Sequence, residues 1–323
     1  MKFLIAGYGS IGKRHFENLL HLGESDIVFY RTHNSNLQTQ ELVDFPVETN
    51  LHDALRHNPD AVVISNPTAL HLDIAIPSAR RGCHLLIEKP LSHTMDDVDT
   101  LRKIVDNKHV QVLMGFQFRF HPALKKINRI IWEGEIGKPL SVRAHWGEYL
   151  PDWHPWEDYR KSYSARRDLG GGVILTLCHP IDYLRWLFGE IKEITSIVGY
   201  QSDLEIEVED TAEIGFRFES GVIGSVHLNY TQKPPRHSLE IVGTSGTLRW
   251  DYYHNEVKLF PFDDERTEKN EWQVILSDRG FERNHLFIDE MKHFIEVVNG
   301  ESSPVCGLED GIRVLEIALQ ARA

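Results

Sequence analysis

Three glycines near the N-terminus have the spacing of a nucleotide-binding turn: Gly7, Gly9 and Gly12. An apolar run at residues 3–6 precedes them and a helical pattern follows, so the turn lies between a strand and a helix. The first glycine permits the sharp bend, the second admits a pyrophosphate close to the backbone, and the third lets the helix pack on the strand. The N–H groups at the helix start, those of Ser10 and Ile11 included, then bind phosphates. This chemistry predicts a dinucleotide site, with a purely structural turn as the alternative.

The second predicted strand ends at Arg31 and Thr32, about 20 residues beyond the glycines. NAD-binding proteins usually place an acid here to bind the ribose 2′-hydroxyl, but these positions hold a cation and a short donor. Both suit a 2′-phosphate, which a carboxylate would repel, and His33 and Ser35 add further donors. We therefore predict NADP as the preferred cofactor, with NAD second. An arginine on a solvated loop is the alternative.

Two polar tripeptides follow the next predicted buried strands: Asn66-Pro67-Thr68 and Glu88-Lys89-Pro90. The carboxyl ends of parallel strands meet at one sheet edge, where open α/β folds bind their ligands. A partly desolvated lysine at that edge has a lowered pKa and exchanges a proton with a substrate hydroxyl, which makes Lys89 a candidate for proton transfer. Pro90 keeps Lys89 out of helical conformation. A solvent-facing loop lysine is the alternative.

The composition limits the class of protein. The chain has 323 residues, 41% of them hydrophobic, which is enough for two domains with separate cores. Its net charge of −13 and interspersed charges argue against a nucleic-acid partner. Three widely spaced cysteines indicate a reducing compartment, and we find neither a signal peptide nor a membrane span, so we expect a cytoplasmic protein.

Strand and helix patterns alternate through the first 120 residues and then change character. Residues 1–120 predict a Rossmann domain, a doubly wound parallel sheet of the α/β class. Residues 121–323 predict an α+β domain with an open, mainly antiparallel sheet, because hairpin signals occur at residues 219–221 and 244–246. We expect this second domain to bind the substrate and, through its sheet, to join copies of the chain into a homodimer or homotetramer. Its C-terminal helix is expected to pack back on the first domain.

Together these motifs resemble the Gfo/Idh/MocA oxidoreductases. The resemblance rests on the glycine turn, on Asn66-Pro67-Thr68 followed by His71, on residues 82–90, on residues 115–120 and on residues 170–182. It implies hydride exchange between a nicotinamide and a carbinol carbon of a sugar or cyclitol, with Lys89 and His179 as the catalytic pair. We expect the cofactor to contact Gly7, Gly9, Ser10, Ile11, Gly12, Arg31, Thr32, Asn66, Pro67, Thr68, His71, Glu88, Lys89 and Pro90.

The chain departs from the family pattern before His179. Family members commonly have an Asp four residues before this histidine, whereas Thr176 stands three residues before it. On one helix a spacing of three would still place both side chains on the same face. Asp182, three residues further on, could orient the imidazole as a carboxylate does in hydrolytic triads. The alternative for His179 is a histidine packed against Tyr183 and Trp186.

Residues 149–163 are too aromatic for an ordinary polar loop. Aromatic faces beside arginines suit a sugar ring that carries a carboxylate or phosphate, and burial of the tryptophans at a subunit contact is the alternative. The candidate substrate residues are Arg119, Trp153, Trp156, Tyr159, Arg166, Thr176, His179 and Asp182. The loop also resembles that of relatives in bacterial surface-sugar biosynthesis, which implies a nucleotide-linked or acidic sugar.

The sequence therefore predicts an NAD(P)-dependent oxidoreductase that acts on a sugar-like alcohol or ketone. The histidines show none of the paired spacings of metal ligands, so we expect no metal site. Some relatives retain the cofactor through successive oxidation and reduction, which is a variant of the same reaction class. The alternative from another class is a dinucleotide-binding sensor or assembly protein whose catalysis has lapsed, and Thr176 is the residue that supports it.

Overall fold

The computed structural model describes residues 1–32, 40–262 and 271–323. The chain forms two compact units, and each draws on several stretches of sequence. The first contains Met1–Gln117, Asp168–Gly170 and Arg283–Glu316; the second contains Phe118–Arg167, Gly171–Glu282 and Ile317–Ala323. In the described part of the chain, no helix is both long enough and apolar enough to cross a membrane.

The first unit is a parallel sheet with helices. Its strands are β1 Lys2–Ala6, β2 Asp26–Tyr30, β3 Val47–Glu48, β4 Ala61–Ile64, β5 His84–Glu88 and β6 Val112–Gly115. Its helices are α1 Ser10–His21, α2 Leu51–Arg56, α3 His71–Arg80, α4 Val98–Lys108, α8 Asn284–Val298 and the first part of α9 Leu308–Arg322. The strands pair in parallel in the order β3-β2-β1-β4-β5-β6.

This strand order confirms the predicted Rossmann topology. The chain adds strands outward from β1 in one direction and then returns to add β4 on its other side, which creates a switch point between β1 and β4. Every residue of β4 and β6 is buried, as expected for strands covered on both faces. The turns that follow β1 and β4 therefore lie together at the carboxyl edge of the sheet.

The second unit contains a sheet of eight strands. The strands are β7 Pro139–Tyr149, β8 Ile191–Gly199, β9 Thr211–Phe218, β10 Ile223–Asn229, β11 Thr231–Gly243, β12 Gly246–Asp251, β13 Glu256–Pro261 and β14 Gln273–Ser277. The helices are α5 Pro122–Trp132, α6 Val173–Thr176 and α7 His179–Phe188. Neighbouring strands are antiparallel except for β7 and β10, which confirms the predicted, mainly antiparallel sheet.

One face of this sheet is buried and the other is open. Along β9, buried apolar residues such as Ile214 and Phe216 alternate with exposed Glu213 and Arg217. Helix α7 packs against β7, so the helices of the unit cover the buried face. Trp250 and Tyr183 are among the largest side chains in this core.

The structure overturns one local prediction. We expected Thr176 and His179 on one helical face, but Thr176 is the last residue of α6 and His179 is the first residue of α7. Pro180 explains the restart at α7, because proline lacks an N–H and is tolerated only in the first turn of a helix. The same-face argument for this pair is therefore wrong.

Candidate functional site

The glycine turn leaves room where a dinucleotide needs it and is tightly packed elsewhere. A Cβ at Gly7, which has a φ of +94°, would lie 2.7 Å from the backbone nitrogen of Asn66. A Cβ at Gly12 would lie 2.2 Å from the carbonyl oxygen of Gly7. A Cβ at Gly9, by contrast, would meet no atom of the described residues within 4 Å. Gly7 and Gly12 therefore shape the turn, whereas Gly9 faces open space.

The start of α1 has the properties of an anion-binding site. Gly9 is its N-cap, no side chain of the described chain caps it, and its first turn contains no acid. The backbone N–H groups of Ser10 and Ile11 thus lie at an uncapped helix N-terminus, where the helix dipole favours negative charge. These residues fit the pyrophosphate of a dinucleotide.

Arg31 lies at the end of β2, as predicted, and is 6% exposed. Its guanidinium carbon lies 5.6 Å from the centre of the Tyr8 ring, and its Nε has no hydrogen-bond partner within the described ranges. The Tyr8 hydroxyl donates to Glu41 at 2.6 Å, and Lys13 Nζ donates to the same carboxylate at 2.9 Å. Burial and the Glu41 contact together raise the pKa of Tyr8. Thr32 is exposed, while His33 and Ser35 lie outside the described residues.

The turn after β4 adds a second polar group beside the glycines. Ser65 Oγ donates to the carbonyl oxygens of Ala6 and Gly7 at 3.1 and 3.0 Å. The Asn66 amide is buried, and neither its nitrogen nor its oxygen has a hydrogen-bond partner in the part of the chain that the structure describes. Buried amides usually have partners, so this one fits a polar ligand atom. Pro67 precedes the buried Thr68 in the same turn.

His71 joins the two turns that carry the predicted chemistry. Its Nδ1 lies 2.9 Å from the carbonyl oxygen of Pro90, and its Nε2 lies 2.9 Å from that of Asn66. Burial lowers the pKa of His71, and the two carbonyl contacts act in the opposite direction. The imidazole therefore holds the turn after β4 against the turn after β5.

Lys89 emerges from the end of β5 beside a buried carboxylate. Glu88 Oε1 lies 2.8 Å from Nε2 of His15 on α1, and Glu88 Oε2 accepts the Lys89 backbone N–H at 3.4 Å. Burial raises the pKa of Glu88, but the His15 contact and the charge of Lys89 outweigh it, so the net shift is downward. Lys89 itself is half-buried, as proton exchange with a bound substrate requires.

In the second unit, His179 lies in an aromatic cluster. His179 is 2% exposed. The centre of its ring lies 5.0 Å from that of Phe118, in an edge-on arrangement, and 5.5 Å from that of Trp146, in a stacked arrangement. Trp146 also stacks on His237 at 4.3 Å. These contacts fix the plane of the His179 imidazole.

Three other candidate substrate residues of this unit, Arg119, Asp182 and Thr176, have interactions of their own. Asp182 accepts two hydrogen bonds from Arg119, at 2.8 and 2.7 Å, and both side chains are buried. The guanidinium of Arg119 also lies 5.5 Å from the Trp186 ring centre. Thr176 is buried close to the buried phenol of Tyr230, whose hydroxyl donates to the carbonyl oxygen of Ser164 at 3.3 Å. Burial raises the pKa of Tyr230, and the nearby Thr176 hydroxyl acts in the opposite direction.

The aromatic segment divides into packed and exposed residues. Trp153 meets Tyr230 edge-on at 5.5 Å, and the Tyr159 hydroxyl donates to the carbonyl oxygen of Leu204 at 2.9 Å. Trp156 is 69% exposed, and Arg166 is also exposed. Trp156 of the segment and Arg166, which follows the segment, thus lie at the surface of their unit.

Sequence reasoning missed two buried residues beside Glu88. His15 and Glu290 join it in a cluster whose ligand-type atoms all lie within 4.8 Å of one another. Glu290 occupies a position on the apolar stripe that Phe287, Met291 and Phe294 form along α8. An acid on such a stripe is a signal of a buried carboxylate, although it does not identify the partners.

Two family models match consecutive parts of the chain. Residues 1–116 match the model described as "Oxidoreductase family, NAD-binding Rossmann fold", and residues 124–249 match the GFO/IDH/MocA C-terminal domain. The chain belongs to the GFO/IDH/MocA family. Its first unit is therefore a nicotinamide-dinucleotide-binding domain, and the protein is an NAD(P)-dependent oxidoreductase acting on CH–OH groups.

Curated relatives within the GFO/IDH/MocA family are sugar and inositol dehydrogenases. The chain is 26% identical to the myo-inositol 2-dehydrogenase of Thermotoga maritima, over 100% of this chain and 95% of the relative. It is 25% identical to the levoglucosan dehydrogenase of Pseudarthrobacter phenanthrenivorans, over 75% of this chain and 69% of the relative.

Solved structures share the fold over the whole chain. A levoglucosan dehydrogenase in complex with NADH gives a TM-score of 0.87 at 21% identity, covering 100% of this chain and 95% of that one. The WlbA dehydrogenase of Bordetella pertussis, solved with NADH and UDP-GlcNAcA, gives a TM-score of 0.80 at 22% identity, covering 100% and 95%. At these identities the likeness shows the shared fold.

Proposed function

We propose that the protein is an NADP-preferring dehydrogenase or reductase that transfers a hydride between nicotinamide and a carbinol or keto carbon of a sugar-like substrate. The observation that carries the proposal lies within the first unit. Among the described residues, a helix N-terminus without a side-chain cap, open space at Gly9 and a buried Asn66 amide without a hydrogen-bond partner occur together in a domain of the NAD-binding family. Lys89 follows on the turn that His71 ties to Asn66.

In this proposal the chain supplies position and proton transfer, and the nicotinamide supplies the hydride chemistry when it is bound. Lys89 exchanges a proton with the substrate hydroxyl, because it is half-buried and projects from the carboxyl end of β5. His179 serves as the second proton-transfer residue. Its imidazole is held in a fixed plane by Phe118 and Trp146.

The preference for NADP rests on Arg31. This cation is largely buried at the end of β2, and its Nε has no hydrogen-bond partner among the residues that the structure describes. A 2′-phosphate would provide that partner through a charge-assisted hydrogen bond. NAD is the second cofactor that we consider.

The substrate class that we propose is a nucleotide-linked or acidic sugar. Exposed Trp156 offers an aromatic face and exposed Arg166 a cation, which suit a sugar ring bearing a carboxylate or phosphate. One structural neighbour is a UDP-N-acetylglucosamine 3-dehydrogenase from Acidithiobacillus ferrooxidans, and another, WlbA, was solved with UDP-GlcNAcA.

We also propose that copies of the chain associate through the open sheet face of the second unit. Ile197 and Ile223 are 79% and 54% exposed on that face. A groove of about 890 Å³ on the same sheet is lined by charged residues, including Arg143, Glu240 and Arg249. Light scattering should show a dimer or tetramer, and Ile197→Glu should shift the distribution toward monomer.

We propose that the protein acts in the cytoplasm, because all three cysteines are buried thiols.

Nicotinamide absorbance, followed with a panel of cyclitols, anhydrosugars and UDP-linked sugars, tests the activity. Oxidation of at least one panel member with NADP or NAD supports the proposal. Binding of dinucleotide without turnover of any panel member would favour the alternative, a dinucleotide-binding sensor or assembly protein whose catalysis has lapsed. The observation that supports this alternative is Thr176 in place of the family's Asp. In that case Thr176→Asp, which restores the family's carboxylate, should create activity. Turnover that leaves bulk NADP unchanged would indicate a cofactor retained through oxidation and reduction.

A further inference from the structure

Three ionisable side chains from distant parts of the sequence meet inside the first unit. His15 comes from α1, Glu88 from β5 and Glu290 from α8. Their exposed fractions are 0%, 7% and 0%, and their polar atoms all lie within 4.8 Å of one another. The cluster adjoins Lys89, the residue after Glu88 in the sequence, whose backbone N–H donates to the Glu88 carboxylate at 3.4 Å.

The hydrogen bonds of the cluster are distributed unevenly. Glu88 accepts from the Lys89 backbone and contacts His15 Nε2, so its charge is well stabilised. Glu290 has no hydrogen-bond donor at either carboxylate oxygen within the described ranges of the chain. An ionised carboxylate in that position would be buried beside a second carboxylate without compensation.

The charged and titratable groups around Glu290 determine the direction of its pKa shift. His15 on α1 faces Glu88, and Glu88 is the group whose charge acts on Glu290. Lys89 and His71 act on Glu88 from the turn after β5 and from α3. Burial and the charge of Glu88 together raise the pKa of Glu290 well above its usual range.

We propose that Glu290 stands in this cluster as a neutral carboxylic acid and shares its proton with the Glu88 carboxylate, which makes it a positioning residue for Lys89. The proton turns a repulsive pair of carboxylates into a hydrogen-bonded pair. Glu88 is then held from three sides, by α1, by α8 and by its own backbone turn. The consequence for Lys89 rests on the proposed function, whereas the protonation state of Glu290 does not.

A histidine and two carboxylates are also side chains that hold divalent metals. The geometry favours the proton, because the nearest nitrogen and oxygen of His15 and Glu88 are already 2.8 Å apart and hydrogen-bonded to each other. A tetrahedral metal would need those two atoms spread around it rather than in mutual contact. The metal content of the purified protein distinguishes a shared proton from a bound divalent metal.

The first test compares the pH dependence of unfolding in the wild type and in Glu290→Gln. A Glu with a raised folded-state pKa keeps its proton while the unfolded chain loses it, so stability falls as pH rises above the ordinary Glu pKa. Gln supplies the same donor without titrating. The unfolding equilibrium constant of the wild type relative to Glu290→Gln should therefore rise by up to about tenfold per pH unit above that pKa.

Asp289→Asn is the matched control, because Asp289 is an exposed carboxylate on the same helix, directly beside Glu290. It should leave the pH dependence of unfolding at the wild-type value. A wild-type protein whose stability relative to Glu290→Gln is constant or increases from pH 5 to pH 8 would overturn the proposal, because either result requires an ionised Glu290 in the folded state.

Infrared spectroscopy of protein with 13C-labelled glutamate carboxyls provides a test that does not require the Glu290→Gln variant to fold. The folded wild type at neutral pH should show a protonated carboxyl band that is lost on unfolding. Glu209→Gln, which removes a second buried glutamate whose pKa burial raises within the described part of the chain, should retain a band. Absence of any such band in Glu209→Gln, or a stoichiometric metal ion in the purified wild type, would overturn the proposal. No readout requires substrate or cofactor, so failure here is separate from failure of the proposed function.

Discussion

Arg119 and Asp182 form a buried, two-pronged ion pair in the second unit. Arg119 Nε donates to Asp182 Oδ2 at 2.8 Å, and Nη2 donates to Oδ1 at 2.7 Å. The two residues are 8% and 0% exposed. Arg119 follows Phe118, which contacts His179, and Asp182 lies one helical turn beyond His179. The ion pair thus links the segment that carries Phe118 to the helix that begins at His179.

Removing one partner should therefore leave a buried charge without compensation. We predict that Asp182→Ala lowers the free energy of unfolding by about 3–5 kcal/mol. The double variant Arg119→Met with Asp182→Leu should lose much less, because it leaves neither charge behind. Denaturant titrations of both proteins measure the difference. Equal losses would show that the ion pair contributes nothing specific.

Gly9 and Gly12 should separate binding from folding. Gly9→Ala places its Cβ where no described atom lies within 4 Å, so the fold should tolerate it, while dinucleotide affinity should fall because the backbone can no longer approach the pyrophosphate. Gly12→Ala is the matched comparison, because its Cβ would lie 2.2 Å from a carbonyl oxygen and should destabilise the protein. Thermal unfolding and calorimetric titration with NADPH measure the two effects. Unchanged affinity in a folded Gly9→Ala protein would refute the placement of the phosphates.

Arg31 should decide between the two cofactors. A charge-assisted contact contributes about 1.5–3 kcal/mol, so Arg31→Asp should shift the preference from NADP toward NAD by one to two orders of magnitude. Calorimetric titration of each protein with both dinucleotides checks this. Tighter binding of NAD by the unaltered protein would contradict the assignment of Arg31 to a 2′-phosphate.

Thr176 and Tyr230 should be coupled in stability. The Thr176 hydroxyl lowers the pKa of the fully buried Tyr230 phenol, so Thr176→Val and Tyr230→Phe should each remove their mutual interaction, and Tyr230→Phe also removes the hydrogen bond to the Ser164 carbonyl oxygen. A double-mutant cycle of unfolding free energies should give a coupling of about 0.5–1.5 kcal/mol. Additive single effects would show that Thr176 acts on another group.

Local patterns predicted the elements of the fold well and their long-range contacts poorly. The run at residues 61–64 is apolar throughout because β4 is covered on both faces, so its strand was readable from the sequence. The glycine spacing likewise determined the turn at α1, because each glycine has a separate steric reason. Contacts such as Arg119 with Asp182 join residues far apart in the chain, and no periodicity reveals them.

The break between Thr176 and His179 shows the limit of a spacing argument. A spacing of three assumes one continuous helix, yet the backbone ends one helix at Thr176 and begins another at His179. Pro180 was a readable signal for that restart. Glu290 was equally visible as an acid on an apolar stripe, but its partners on α1 and β5 depend on the tertiary fold.

Single-turnover nicotinamide absorbance with a substrate identified in the panel tests the central claim most directly. Lys89→Ala should bind dinucleotide as the wild type does, yet transfer the hydride at least roughly 100-fold more slowly, because proton transfer by a positioned side chain contributes that much. Lys103→Ala, which removes an exposed lysine of the same unit, should react at the wild-type rate. A Lys89→Ala protein with wild-type hydride transfer would contradict the assignment of Lys89 as the proton-transfer residue.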